Sequence, residues 1–188
     1  MSLKPYIKKL KHKDQAAFEA VYQQTKHAVF AMVIPIVKDQ SLAEDVMQET
    51  YITMIEKINS YNPRYKFINW LLTIAKHKAI DMYRSREKDW LIDTSENTDL
   101  FTSHESSIEK RLEVEGYLSL LNDEQKQVVL LKVVGELTHK DIAYLLNKPI
   151  GTITWMYSEA IKIMKASGKE RHNEKKWFIR TYQAWRFV

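Results

Sequence analysis

Cysteine is absent from this chain, and glycine and proline are scarce, with 4 of each in 188 residues. Without cysteine there is no disulfide, no thiolate metal site and no thiol redox role. With so few turn formers, a sandwich or barrel of many short strands is disfavoured and long helices are expected. Long apolar runs are missing as well. The longest, Ala28 to Val37, contains Pro35 and falls well short of the roughly 20 residues needed to span a bilayer. The lysine-rich start (Lys4, Lys8, Lys9, Lys11, Lys13) is not followed by a signal-type apolar core and cleavage site. A soluble cytoplasmic protein is the expectation. His12, His27, His77, His104, His139 and His172 show no ligand spacing such as H-E-x-x-H, and no glycine-rich phosphate loop is present. An enzyme, a metal site and a cofactor site are therefore all without a signal.

What the chain does contain is ordinary globular material: 45% hydrophobic and 28% charged residues, enough for one domain or two small ones. A formal charge of +5 and a pI near 9.2 suit a polyanionic partner. Against that basic background, Ala43-Glu44-Asp45-Val46-Met47-Gln48-Glu49-Thr50-Tyr51 stands out as acidic. Ser41 and Glu44 have the S-x-x-E spacing of a capping box, which predicts a helix from Ser41 to about Asn59. Val46, Met47, Thr50 and Ile55 would face a core, and Glu44, Asp45, Gln48 and Glu49 would line the outer face. Taken alone, such a face is most simply a solvated surface.

Before it, Phe18, Val21, Tyr22, Thr25 and Val29 recur at helical steps after an N-cap at Asp14. Pro35 is expected to kink or end that helix one turn before Lys38-Asp39-Gln40. After it, Ser60-Tyr61-Asn62-Pro63-Arg64-Tyr65-Lys66 reads as a turn, because Pro63 holds Asn62 away from helix. Its mixture of rings and cations suits stacking on unpaired bases, though taken alone it is more simply a loop whose tyrosines cover a core edge. A third helix is expected from Phe67 to about Arg86, with Trp70, Leu71, Ile74, Ala75, Ala79 and Met82 on its apolar side. Lys76, His77, Lys78, Arg84, Arg86 and Lys88 make its other surfaces basic.

From Asp89 to Ser107 there is no Lys or Arg, and Asp89, Asp93, Glu96, Asp99 and Glu105 make the stretch acidic. It lacks sustained periodicity and reads as a flexible acidic linker. Helical spacing resumes near Ile108 and runs through Leu112, Val114, Leu118 and Leu120. Asn122 with Gln125 then predicts a capping box, Val128, Val129, Leu131 and Val134 a buried side, and Gly135 a C-cap. Thr138 with Asp141 opens a short helix containing Ile142, Ala143, Leu145 and Leu146. Gly151-Thr152 opens another, in which Ile153, Tyr157, Ala160, Ile161 and Met164 share a face. The pair reads as a helix-turn-helix: small Ala143 at the crossing, Asn147 able to take a left-handed backbone, and Ile153 plugging the core. The second helix would present Thr152, Thr154, Trp155, Ser158, Glu159 and Lys162 to a major groove.

With both halves read, the chain resembles a small sigma factor of bacterial RNA polymerase, of the extracytoplasmic-function subgroup of the sigma-70 family. In region 2 the resemblance is carried by Ala43 to Tyr51, by Phe67-Ile68-Asn69-Trp70-Leu71-Leu72-Thr73-Ile74-Ala75 and by Ala79-Ile80-Asp81-Met82-Tyr83-Arg84. In region 4 it is carried by Leu120 to Gln125, Asp141-Ile142-Ala143 and Gly151-Thr152-Ile153. It implies an all-α protein of two small helical domains joined by the linker. Region 2 would occupy 1–88, the linker 89–111, the region 4 helix-turn-helix 112–167 and a basic aromatic extension 168–188. The extension, with Phe178, Tyr182 and Trp185 at helical spacing, would dock back on region 4 or meet DNA or a membrane surface.

The resemblance also implies partners. Core RNA polymerase would be held through its β′ clamp helices and β flap, the former by Glu44, Asp45, Gln48 and Glu49. Promoter DNA would be held at the −10 element by Lys66, Phe67, Asn69, Trp70, Lys76, His77 and Arg84. Thr152, Thr154, Trp155, Ser158, Glu159 and Lys162 would contact the −35 element. An anti-sigma factor is a further candidate partner, and neither a cofactor, a metal nor a small-molecule substrate is implied. The sequence departs from the family at His77, where asparagine is usual, and at Pro35. It departs again at Thr154, Met156 and Glu159, where basic residues are common. Two alternatives follow: a sigma-like protein that docks on polymerase without reading a −35 element, and a stand-alone helix-turn-helix regulator.

Overall fold

The computed structural model describes residues 3–90 and 116–167. All regular structure among the described residues is helical, in two compact units that divide at Phe101. The linker from 91 to 111, the spacing from Ile108 to Val114 and the tail from 168 lie outside the described residues.

The first unit contains α1 (Lys4–Leu10), α2 (Gln15–Val37), α3 (Gln40–Lys57), a 3-10 turn (Ile58–Ser60) and α4 (Phe67–Trp90). Asp14 caps α2 as its sequence predicts, its carboxylate accepting from the Ala17 N–H at 2.7 Å. Every residue from Ala28 to Ile34 is buried, so α2 is the helix around which α1, α3 and α4 pack. The apolar run too short for a membrane is thus a central helix of a bundle, hydrophobic all round because protein surrounds it. Thr25 and Tyr51 join α2 to α3 inside the core. The Thr25 hydroxyl donates to the Val21 carbonyl at 2.7 Å and lies 2.9 Å from the Tyr51 hydroxyl. Phe18 and Tyr22 pack edge-on to the Tyr51 ring, and burial pushes the Tyr51 phenol well above its usual pKa.

Three boundaries differ from the sequence expectation. The helix passes through Pro35 and ends at Val37, where Lys38 takes a left-handed φ of 54°. Proline removes one donor, but the Lys38 N–H still bonds to the Ile34 carbonyl at 2.9 Å, so the ladder resumes at once. Next, α3 starts at Gln40 with Asp39, not Ser41, as its N-cap. Asp39 is extended (φ −150°) and accepts from the Leu42 N–H at 2.8 Å, while Ser41 is already helical. An aspartate is at least as good a cap and also complements the positive end of the helix. Finally, α4 continues to Trp90, beyond the expected end at Arg86.

In the second unit a helical turn over 116–119 precedes α5 (Asp123–Val133), α6 (His139–Leu146) and α7 (Ile150–Ser167). Both caps occur as expected. The Asn122 side chain accepts from the Gln125 N–H at 2.9 Å while Gln125 accepts from the Asn122 N–H at 3.2 Å. Thr138 accepts from the Asp141 N–H and its hydroxyl donates to the Asp141 carboxylate at 2.6 Å. Asn147 ends α6 with φ 52° and ψ 46°, and Ile153 is fully buried.

Gly135 follows α5, but not for the expected reason. Its φ is not positive; the left-handed residue is Glu136, at φ 53°. What requires glycine is space, since a Cβ at 135 would lie 2.7 Å from the Leu131 carbonyl oxygen. Gly135→Ala is therefore expected to destabilise the second unit by about 1–3 kcal/mol, as overpacking against fixed backbone does. Glu136→Gly should leave stability unchanged or higher. Urea denaturation followed by circular dichroism ranks the two, and the reverse order would restore a conformational role for Gly135.

Candidate polymerase and nucleic-acid interfaces

On α3, Glu44, Asp45, Gln48 and Glu49 are all exposed, while Ala43, Val46, Thr50 and Tyr51 are buried. The acidic residues thus form one continuous outer face. At its C-terminal end, on the same helical stripe as Asp45, Gln48 and Glu49, sits Ile52, 55% exposed. Sequence reasoning passed over Ile52. Its signal is the i+3, i+4 and i+7 spacing to the polar residues rather than to the core. The carboxylates are not equivalent. Glu49 meets Lys78 of α4 at 3.0 Å, and Glu44 accepts from Gln40 at 3.0 Å. A rim pair such as Glu49–Lys78, half exposed, stabilises by roughly 0–1 kcal/mol at most.

On α4, Leu71, Leu72, Ala75 and Ala79 turn inward. Lys66, Trp70, Thr73, His77 and Arg84 fall at spacings of four, three, four and seven, which places them along the side of the helix away from that core. This side carries the cations Lys66 and Arg84 at its two ends with the Trp70 and His77 rings between them, and exposed Asp81 lies beside Arg84. The segment before α4 is held in shape: the Tyr61 hydroxyl donates to the Tyr65 carbonyl at 2.6 Å, and the Arg64 N–H donates to the Asn62 side chain at 3.0 Å. The Tyr61 ring is buried edge-on to Phe67 (5.3 Å) and tilted against Trp70 (5.3 Å), and burial raises its pKa. Tyr65, by contrast, is 59% exposed. The loop thus covers a core edge with one tyrosine and offers the other to solvent.

In the second unit, Thr154, Trp155, Ser158 and Lys162 project from α7 into solvent, with Trp155 62% exposed. Thr152 and Glu159 are half-buried beside them. Glu159 holds Lys162 at 2.7 Å, and Thr154 donates to the Ile150 carbonyl while lying 3.3 Å from His139 Nδ1. Burial and the nearby Lys132 push the His139 pKa down, which favours the neutral form of the imidazole.

Comparison with known proteins bears on both units. The family model for sigma-70 region 2 matches residues 18–89, and that for sigma-70 region 4 matches 111–164. The ECF RNA polymerase sigma factor SigW of Bacillus subtilis is 28% identical over 167 residues, covering 81% of this chain and 89% of the relative. SigM of the same organism is 29% identical over 133 residues, covering 69% and 81%. This chain belongs to the extracytoplasmic-function sigma factors of the sigma-70 family. Solved structures share its fold. CnrH in complex with the cytosolic domain of CnrY has a TM-score of 0.60 at 18% identity, over 86% of this chain and 93% of that one. The sigma factor RpoE of Bartonella quintana, in complex with the anti-sigma factor NepR, has a TM-score of 0.59 at 19% identity, over 79% and 92%.

Within this sigma factor, four residues sit differently from what their sequence positions led one to expect. Phe67 is 5% exposed and Asn69 is buried, so neither offers its side chain outward as Lys66, His77 and Arg84 do. Phe67 belongs to the Tyr61–Trp70 ring cluster and supports the loop from below. Lys76 is half-buried and set to one side of the cationic line. Met156, at a position where the family commonly has a basic residue, is 4% exposed and belongs to the core of the unit. Its absent positive charge therefore removes no contact from the outer face. Among the described residues, no cluster of three or more His, Asp or Glu could hold a metal ion, and no helix is long and apolar enough to cross a membrane.

Proposed function

We propose that this sigma factor holds core RNA polymerase by the acidic face of α3, the −10 region of promoter DNA by the cationic line of α4, and the −35 element by α7. The observation that carries this reading is the contrast between two neighbouring helices of one bundle. Glu44, Asp45, Gln48 and Glu49 face outward on α3, and Lys66, Trp70, His77 and Arg84 line the outer side of α4. Opposite charges on separate faces suit two different partners, a cationic protein surface and a polyanion. The protein performs no bond chemistry of its own and works in the cytoplasm, where its polymerase and promoters are. It stabilises melted DNA by capturing unstacked bases, each of which costs a few kcal/mol to extrude. The test is direct: the purified chain, added to core polymerase, is expected to co-purify with it and to direct initiation from selected promoters. No retention of the chain on core enzyme would overturn the reading.

A narrower reading, docking on polymerase without contact at −35, is favoured by one observation: Glu159 neutralises Lys162 on the very face that would meet DNA. Glu159→Gln separates the two. If α7 meets duplex, the released lysine is expected to raise −35 affinity about threefold and to steepen the log–log salt dependence by about 1. An unchanged slope in holoenzyme filter binding would favour the narrower reading.

A further inference from the structure

His139 reaches from the start of α6 to a side chain on the outer face of α7. Thr154 is exposed there, and its Oγ1 lies 2.9 Å from the Ile150 carbonyl oxygen and 3.3 Å from His139 Nδ1. The backbone of His139 is fixed by the Thr138–Asp141 cap, and its ring packs against that of Tyr157 at 5.3 Å. A threonine hydroxyl has one proton and two lone pairs. The Ile150 carbonyl can only accept, so the 2.9 Å contact takes the proton. The 3.3 Å contact is then a hydrogen bond only if His139 carries a proton on Nδ1 and donates it to Oγ1. With the other tautomer, Thr154 would face two acceptors with one proton and lose a bond. His139 Nε2 is buried with no hydrogen-bond partner among the described residues, so nothing on that side of the ring dictates the tautomer. In the tautomer that satisfies both contacts, Oγ1 keeps one lone pair and has no proton to give.

We propose that His139 is a positioning residue that makes Thr154 an obligate acceptor, so that α7 selects an exocyclic amino group at one position of the −35 element. This selectivity rests on the proposed role of α7 in meeting −35 duplex, and gives that role a base polarity and a residue from the preceding helix. A free threonine is ambiguous toward bases, because its hydroxyl donates or accepts as the partner requires. Held by His139 and Ile150, it has only the accepting choice. In the major groove the base donors are adenine N6 and cytosine N4, whereas guanine and thymine present acceptors. Guanine O6 or thymine O4 would meet the Thr154 lone pair with another lone pair, and a desolvated pair of acceptors is unfavourable. Glu159 is an acceptor on the same helix, but Lys162 already donates to it at 2.7 Å.

The test uses holoenzyme assembled from core polymerase and the full chain, on a promoter selected by it, with bases of the −35 element replaced one at a time. Unsubstituted purine replaces adenine and pyrimidinone replaces cytosine, each removing only the amino group. One such replacement is expected to weaken upstream binding roughly three- to tenfold, the value of a single hydrogen bond, and its identity tells adenine from cytosine. Thr154→Val, which keeps the side-chain shape, should bind the normal element more weakly by that same factor and be indifferent to the replacement. His139→Ala should lose most of the discrimination, because the hydroxyl is then free to turn its proton outward. His139→Asn, whose amide donates from the place of Nδ1, should restore it. A merely weakened helix-turn-helix would instead lose affinity at every position alike. Equal sensitivity to the replacement in wild type and Thr154→Val would overturn the assignment. So would a thymine-to-uracil loss that Thr154→Val retains, since that would make the contact one of methyl groups. A chain held on core polymerase that leaves the upstream element unprotected loses both the −35 reading and this assignment. Upstream protection with no replacement effect tied to Thr154 keeps the reading and loses the assignment alone.

Discussion

Asp45→Arg is expected to weaken binding to core RNA polymerase by about 100-fold, with the fold of the chain unchanged. Asp45 is exposed on the acidic stripe of α3, and among the described residues no ion pair or hydrogen bond occupies its side chain. Glu49 already shares its charge with Lys78, and Glu44 is engaged by Gln40. Asp45 is thus the carboxylate most available to a cationic partner. Reversing it converts an attraction into a like-charge contact, which costs several kcal/mol at an interface; about 3 kcal/mol corresponds to the stated factor. Glu49→Gln should cost less, since the wild-type charge is partly neutralised before docking. Competition of unlabelled variants against labelled wild-type chain on core polymerase measures both. Wild-type affinity in Asp45→Arg would remove α3 from the interface, and a melting temperature displaced from wild type would expose a folding defect instead.

The second large effect is expected from Ile153→Ala, and it should fall on the second unit. Ile153 is fully buried, as are Val128, Leu131, Ile142 and Ala160 of the same unit. Removing its outer carbons forfeits about 2–5 kcal/mol, the range for large-to-alanine changes in a closed core. A unit of this size has only a few kcal/mol in total, at roughly 0.05–0.15 kcal/mol per residue. The variant is therefore expected to lose the α5–α7 fold at growth temperature and, with it, protection of upstream duplex in footprinting. Binding to core polymerase through α3 should persist, reduced several-fold at most. Differential scanning calorimetry should show one transition lowered and the other unmoved. Retained upstream protection would mean that Ile153 does not hold the recognition helix.

Much of this was legible from local residues. The caps at Asp14, Asn122 and Thr138 depend on a side chain reaching an N–H three residues on, which sequence spacing specifies directly. The left-handed backbone at Asn147 and the buried Ile153 follow from the turn and helix period in the same way. The errors share another cause. Ser41 and Asp39 both had capping chemistry, and the choice between them was made by where the chain leaves α2 at Lys38. Gly135 had the composition of a C-cap, but the chain turns left-handed one residue later, at Glu136, where the Leu137 N–H bonds back to the Leu131 carbonyl at 3.1 Å. Phe67, Asn69 and Met156 lie on stripes whose neighbours include both core and surface residues, so periodicity alone left their direction open.

By itself, then, the sequence determined the helical class, the helix starts that rest on single caps, and the segregation of acid onto α3 and base onto α4. These are short-range properties, set within one or two helical turns. Tertiary structure alone decided that Glu49 is drawn to Lys78 across helices. It also decided that Tyr61 is buried while Tyr65 is offered outward, and that the lysines of α1 converge with Arg64 and Lys66 on one cleft. Each depends on which elements pack together, and residues dozens of positions apart become neighbours only when the bundle closes around α2.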